Sequence, residues 1–412
     1  MQIEFAVNNS TGAAARYITW NLSPLRLRLL DAPHSANPVA VTLTELRQPN
    51  GGSIRFRDSQ TSPAKTSLQV SLPANGSSVV VYVQGYFGSA SLADGDVSIE
   101  AKDANGLSIG TLPLMVRIRK NANKLTPAER NRFLAAMAQL NNRGTGRFTD
   151  FRDMHVGGAP DRQAHGGPGF LPWHRAYLLD LERELQLIDP SVALPYWRFD
   201  QKSPFLFTQD FIGLPDALGT VQFGAANPLQ FWTTDGVLGV NRTPRGIDPA
   251  TQAASAIAKE AETLTLGSNY TAFRNMEGNP HGFAHTTYFG GSISSPPTAP
   301  KDPLFFLLHC NVDRLWAKWQ HKHGRFNPAD PLAFQAAPPG KKFLDGHNLN
   351  DSLWPWNGIT TPPRPATAPG GPLASSACVS APGSSPYARD MLDYSGLLIS
   401  SAALGFSYDD VH

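Results

Sequence analysis

Cysteine is scarce: Cys310 and Cys378 are the only two among 412 residues. Two cysteines make no disulfide framework and fit a reducing compartment. Long apolar runs are missing too; none approaches the ~18 residues a membrane-crossing helix needs, so no membrane partner is expected. The opening residues, Met1 to Ser10, carry no basic stretch followed by an apolar one. No secretory signal is therefore expected, and the expected location is cytoplasmic. Charge is nearly balanced, with 35 Lys and Arg against 33 Asp and Glu, net +2. That balance gives no reason to expect nucleic acid as a partner. The chain has no fixed-period repeat and no H-E-x-x-H metalloprotease pattern. What is present is an apolar fraction of 41% with eight tryptophans, which indicates a globular core rather than disorder. The length allows two domains. Oligomeric state leaves no signature in the sequence.

Residues 1 to about 118 read as strands. Ile3, Phe5 and Val7 alternate with other residues; so do Ile18, Trp20 and Leu22; Val41 and Leu43; Ile54 and Phe56; and Leu68, Val70 and Leu72. Val79 to Val83 is a continuous β-branched run suited to a central strand. Val97, Ile99 and Ala101 lead into Asn105-Gly106, a hairpin signal. Short strands between Gly, Pro, Asn and Ser clusters suggest a β-sandwich, immunoglobulin-like in plan. Its one histidine, His34, reads as a loop residue. No cluster of catalytic residue types occurs here, so the region is expected to bind, shield or solubilise.

The pattern changes at Met115 to Lys124. Thr126 suits an N-cap, Pro127 the first helical position and Glu129 the closing residue of a capping box. Phe133, Leu134, Met137 and Leu140 then form a helical stripe ending near Gly144. Further on, Tyr177, Leu178, Leu181, Leu185 and Ile188 give another apolar helical face, with His174 on the same stripe. His155 and His165 lie just upstream. His281 and His285 are spaced to lie one above the other on a helix. His309 sits on an apolar helix opened by Asp302-Pro-Leu-Phe. Two groups of three histidines suit a pair of metal ions, and all-imidazole ligation suits copper, zinc, iron or nickel rather than magnesium or calcium. Residues 201 to 250 read as a long loop region, Ala253 to Leu266 as a helix, and Pro362 to Pro386 as a low-complexity surface segment.

The histidine segments resemble the copper-A and copper-B signatures of the tyrosinase, catechol oxidase and haemocyanin superfamily. They are H-x8-H enclosing Pro-Gly-Phe-x-x-Trp-His-Arg, and Asp-Pro-x-Phe-x-x-x-His-x-x-Val-Asp-Arg-Leu-Trp. The resemblance spans roughly residues 118 to 412, including Leu125-Thr-Pro-Ala-Glu, Leu194-Pro-Tyr-Trp and a closing strand within Met391 to Asp410. It implies that His155, His165 and His174 hold one copper and His281, His285 and His309 the other, with O2 as co-substrate. Leu308 stands where many members have a first histidine of a pair. Gln163 stands where plant and fungal members carry a thioether-forming cysteine, so the site is bacterial-like and without that crosslink. Cys310 reads as a small core residue.

The resemblance also bears on specificity. Glu277-Gly-Asn-Pro-His281-Gly282 is similar to the plant Glu-x-x-Pro-His-Gly element, in which the Glu holds a water that deprotonates an incoming phenol. An Asn after the histidine helps hold that water; Gly282 cannot. Asp313, one turn after His309, either fixes the tautomer of a ligand imidazole or pairs with Arg175 or Arg314. Arg175 is expected to anchor a helix end or a carboxylate. The loop from Ser292 to Pro300 has no aromatic gate, which suggests an open site.

The expected protein therefore has two domains, 1–118 a β-sandwich and 119–412 a mainly helical dicopper domain of tyrosinase type with its site in a helix bundle. Its expected function is oxidation of small o-diphenols, or o-aminophenols, to quinones with O2, with Glu277, Gly282 and Asp313 as catalytic-site residues. The alternatives are a tyrosinase that also hydroxylates monophenols and a haemocyanin-like oxygen carrier.

Overall fold

The computed structural model describes residues 1–12, 16–30, 37–155, 159–356, 386–399 and 402–412. His34, Cys378 and nearly all of the low-complexity segment lie outside them. A sheet-rich N-terminal region is followed by a mainly helical one, each with its own apolar core. One core gathers residues between Ile3 and Ile118, the other residues between Ala122 and Val411.

Among the described residues of the N-terminal region, nine strands build two sheets. They are β1 (Gln2–Val7), β2 (Tyr17–Ile18), β3 (Ser23–Leu30), β4 (Val39–Arg47), β5 (Ile54–Arg57), β6 (Ser67–Leu72), β7 (Val79–Gly85), β8 (Val97–Lys102) and β9 (Ser108–Val116). The orders are β1-β3-β7-β5 and β2-β9-β8-β4-β6. Only β2 and β9 run parallel; every other pair is antiparallel. Alternation selects the buried faces: Leu68, Val70 and Leu72 point inward from β6, and Leu25, Leu27 and Leu29 from β3. The expected turn at Asn105-Gly106 joins β8 to β9, with the Asp103 carboxylate accepting from the Asn105 and Leu107 amides. Two strands, β3 and β9, were not foreseen. The Ile18–Leu22 alternation gives only a two-residue strand, because Trp20 turns away and donates from Nε1 to the Tyr408 carbonyl at 2.8 Å.

The helical region starts at α1 (Pro127–Asn141), whose Thr126/Glu129 capping box forms as expected. Next come α2 (Phe148–Met154), α3 (Ala159–Ala164) and α4 (Phe170–Ile188). Short turns α5 (Glu260–Thr263), α6 (Tyr270–Phe273) and α7 (Phe283–Thr286) precede α8 (Leu304–His323). The long helices α4 and α8 are buried over most of their length and form the central pair. The expected helix from Ala253 to Leu266 is only the single turn α5. Ahead of it, the Ala254 and Ala258 amides donate to the Tyr288 hydroxyl and the Asn279 side chain rather than along a helix. Tertiary partners override a favourable helix propensity there. The expected closing strand is a single bridge between Arg119 and Tyr408.

Side-chain contacts join the two regions. Phe87 stacks on His412, Asn21 donates to the Ser407 hydroxyl, and Lys120 donates to the Ser91 carbonyl at 2.8 Å. Among the described residues, no helix is long and apolar enough to cross a membrane.

Candidate metal centre

The six histidines arrive on different elements. His155 caps α2, His165 follows α3 directly, and His174 lies in the second turn of α4. His281 sits in a π-type turn, Gly278–Gly282, and not in the regular helix expected. His285 lies in α7, one turn on, and His309 in α8. Two groups form, His155/His165/His174 and His281/His285/His309, with one nitrogen from each member within 4.8 Å of the others. His155, His174, His281 and His309 are buried; His165 and His285 are partly exposed and mark the open side.

Five rings are oriented through Nδ1. His155 bonds the Pro296 carbonyl at 3.0 Å, His174 that of Phe170 at 2.9 Å, His281 that of Glu277 at 2.8 Å and His285 that of Ile293 at 2.8 Å. His165 bonds the Asp161 carboxylate at 2.9 Å and the same residue's carbonyl at 3.1 Å. A carbonyl only accepts, so Nδ1 carries the proton and Nε2 keeps a lone pair. The Nε2 atoms of His281, His285 and His309 stand 3.1 to 3.4 Å apart. Those of His155 and His174 are buried without a hydrogen-bond partner. Converging lone pairs repel unless a cation lies between them, so the donor set fits a metal ion in each triad. Burial lowers the pKa of His155 to about 3 and of His285 to about 4, and holds His174, His281 and His309 well below the usual range. All five are neutral at pH 7, the state that binds metal.

Glu277 is near the open side. One of its oxygens accepts from the Gly166 amide at 2.6 Å, beside His165, and the other faces Arg274 at 3.4 Å. Burial raises its pKa. Gly282 adds no polar group, and a Cβ there would meet nothing nearer than the Glu277 carbonyl at 3.5 Å.

Asp313 requires a correction. It does not orient a ligand imidazole: Arg175 donates to one oxygen at 2.6 Å, and Arg119 (3.2 Å) and the Tyr408 hydroxyl (2.5 Å) donate to the other. Two guanidiniums hold the carboxylate more strongly than an imidazole N–H would. The expected anchoring role of Arg175 is the one observed, whereas Arg314 pairs with Glu260 and Asp410. Leu308 is in the core, and Cys310 is buried with its thiol pushed up to about 12. Gln163 accepts from the Trp354 amide at 2.8 Å.

Sequence reasoning missed three supports. The loop from Gly291 to Thr298 supplies carbonyls to one ring of each triad. Phe305, one turn before His309, packs at 4.2 Å from that ring and 4.9 Å from His155, between the triads; its i to i+4 spacing was a usable signal. His347 is buried and braces the His165 segment. It accepts from the Gly169 amide at 3.0 Å and bonds the Arg162 carbonyl at 2.7 Å. A side chain on Gly167 would overlap this ring, with Nδ1 only 2.4 Å from the Cβ position.

Residues 145–322 match the family model described as the common central domain of tyrosinase. The chain is 33% identical over 272 residues to a tyrosinase of Streptomyces antibioticus, covering 59% of this chain and 94% of that one. It is 35% identical over 266 residues to a tyrosinase of Streptomyces glaucescens, covering 58% and 92%. It is 31% identical over 306 residues to grixazone synthase of Streptomyces griseus, covering 59% and 94%. With two histidine triads of copper-binding type and these relatives matched over nearly their whole length, the chain belongs to the tyrosinase family of dicopper, O2-using oxidoreductases.

Proposed function

We propose that the chain oxidises o-diphenols, and o-aminophenols of similar shape, to quinones and quinone imines. In this reading His155, His165 and His174 hold one copper, and His281, His285 and His309 the other. The bound copper pair would supply the redox chemistry that reduces O2 to water. The observation that carries the reading is the convergence of Nε2 lone pairs in two adjacent triads, with only His165 and His285 reaching the open side.

The chain's own groups bear on which phenol reacts. A free phenol has a pKa of about 10 and must lose its proton to bind well. Glu277, beside His165 through Gly166, is the base available on that side. Gly282 offers no side-chain amide to hold a water against it. This favours diphenols, with hydroxylation of monophenols as the weaker activity.

Oxygen uptake by the copper-loaded protein with a monophenol and its matching catechol tests the proposal. Turnover of the catechol with little or none of the monophenol is expected. Comparable turnover of both makes the protein a full tyrosinase, and turnover of neither favours oxygen carriage.

The strand order supports an immunoglobulin-like reading of residues 1–118 as a domain separate from 119–412. With β1, β3, β7 and β5 as A, B, E and D, the second sheet reads A′, G, F, C, C′, including the parallel A′–G pair. The departure is that β5 joins its sheet before β6 joins the other.

A further inference from the structure

Where β9 leads into α1 there is a cavity of about 30 Å³, room for one small species. Its charged lining is Arg117, Lys120, Arg132 and Glu129, three cations against one carboxylate. Lys120 and Glu129 pair with each other, their side chains 11% and 9% exposed. Arg117 is buried and Arg132 partly exposed, and among the described residues neither has a carboxylate partner. Arg117 donates to the Pro190 carbonyl at 2.5 Å and lies over the Tyr17 ring. Arg132 donates to the Leu92 carbonyl at 3.0 Å, while its Nε–H is buried without a partner.

The acceptors named around this cavity are already engaged. Glu129 accepts from Lys120 and, in the capping box, from Thr126. The Ser91 carbonyl accepts from Lys120. The Ser91 and Ser191 hydroxyls donate to Asp96 and Asp189, and both of those carboxylates also accept from backbone amides. A water would have to place its own two protons among these groups, whereas an anion needs only donors. Positive charge is in excess beyond the lining as well. Arg183, on α4, is 4% exposed, and none of its guanidinium nitrogens has a hydrogen-bond partner. Burial is the main cause that lowers its pKa to about 10; Asp180 and Glu182 oppose the fall and Arg117 adds to it. Glu182 is itself committed to Arg119.

We infer that this cavity binds one monatomic anion, chloride, through the N–H groups of Arg117 and Arg132. The anion joins the strand end that carries Arg117 to the helix that carries Arg132, and so fastens the sheet-rich region to α1. A halide accepts from several donors at once and offsets the repulsion between the two guanidiniums. A tetrahedral oxyanion is too large for the space.

The test is urea unfolding of the copper-loaded full chain at a constant sodium concentration of about 0.2 M, so that general screening is equal in the salts compared. The salts are chloride and methanesulfonate, the latter too large for the cavity. The unfolding equilibrium constant is expected to be about tenfold lower in chloride, the effect of a ligand at about ten times its Kd. Arg132→Gln should bring the two salts within about twofold of each other. Arg130→Gln, which removes the same charge from a position outside the cavity, should leave the difference as in the wild type. Equal unfolding of the wild type in both salts overturns the inference. So does a difference that survives Arg132→Gln, which would place the chloride effect elsewhere, the metal centre included. Diffraction from crystals of the wild type soaked in bromide gives a reading that does not depend on how the variant folds. An anomalous peak between Arg117 and Arg132 is expected, and its absence overturns the site.

Discussion

His174 and His309 lie face to face, their ring centroids 4.1 Å apart and their planes 11° from parallel. One belongs to each triad, and they stand on the two long central helices, so the packing of α4 against α8 fixes one metal position relative to the other. Phe305 closes the contact from the side. The spacing between the two sites is thus a property of a packed core, which resists small displacements.

Removing one ring of this pair separates the two sites. His309→Ala leaves the second triad with two ligands while the first stays complete. Copper content by mass spectrometry is expected to fall from about two per chain to about one, with catechol oxidation lost. Retention of two coppers would mean that His309 is not a ligand.

The loop shared by the triads makes a different prediction. Ile293 and Pro296 supply the carbonyls that orient His285 and His155, and the Thr298 hydroxyl knots the loop by donating to the Ser292 carbonyl at 2.8 Å. Thr298→Val keeps the shape and removes a bond worth about 1 kcal/mol. A chelator should then strip copper from both triads several-fold faster, and Thr298→Ser should restore the wild-type rate. Loss from one triad only would show that the loop does not act on both.

On the proposed reading, Glu277 and Gly282 set the balance between the two phenol reactions. Glu277→Gln removes the base, so the monophenol rate should fall at least ~100-fold and the catechol rate much less. Gly282→Asn has room for its side chain and should raise the ratio of monophenol to catechol turnover. A ratio that moves in neither variant removes the proton-acceptor role from Glu277.

The contrast between His309 and Asp313 shows what was legible in the sequence. Six histidines in two long motifs, the Thr126 capping box and most strands could be read because each depends on side-chain type at fixed spacing. The acceptors that orient the rings are backbone carbonyls of Pro296, Phe170, Glu277 and Ile293, and a carbonyl leaves no mark in a sequence. Asp313 was read from its nearest histidine. Its partners come from residues 119, 175 and 408, and long-range pairing of that kind is decided only by the fold.

Those partners make Asp313 a stability residue. Arg119 also bonds Glu182 at 2.7 and 3.0 Å, and Arg175 also bonds Gln320 and the Met391 carbonyl. The side chains of Arg119, Arg175, Glu182 and Asp313 are at most 3% exposed. Asp313→Asn keeps the volume but leaves two buried guanidiniums short of a carboxylate, which should cost about 3–5 kcal/mol in urea unfolding. The folded fraction should still bind its full copper. Copper loss without loss of stability would restore the tautomer-fixing role.

Asp180 gives the pH prediction. It is buried in α4, accepts from Trp356 Nε1 at 2.8 Å, and has its pKa raised from 3.8 to about 6. Burial is the main cause. The Trp356 bond and the field of Arg183 oppose it and are already counted in the net rise. The folded state therefore holds this proton more tightly than the unfolded chain. Its contribution to stability is fully present below pH 3.8 and is lost as pH rises through about 6. Above that, the buried charge costs about 3 kcal/mol at ~1.4 kcal/mol per pKa unit. Asp180→Asn is neutral at every pH and still accepts from Trp356. It should be more stable than the wild type in urea unfolding at about pH 7.5, by an amount on the order of 1–3 kcal/mol, and the advantage should vanish near pH 4. A variant less stable at pH 7.5 would show that the charged carboxylate is wanted there, as partner to Arg183.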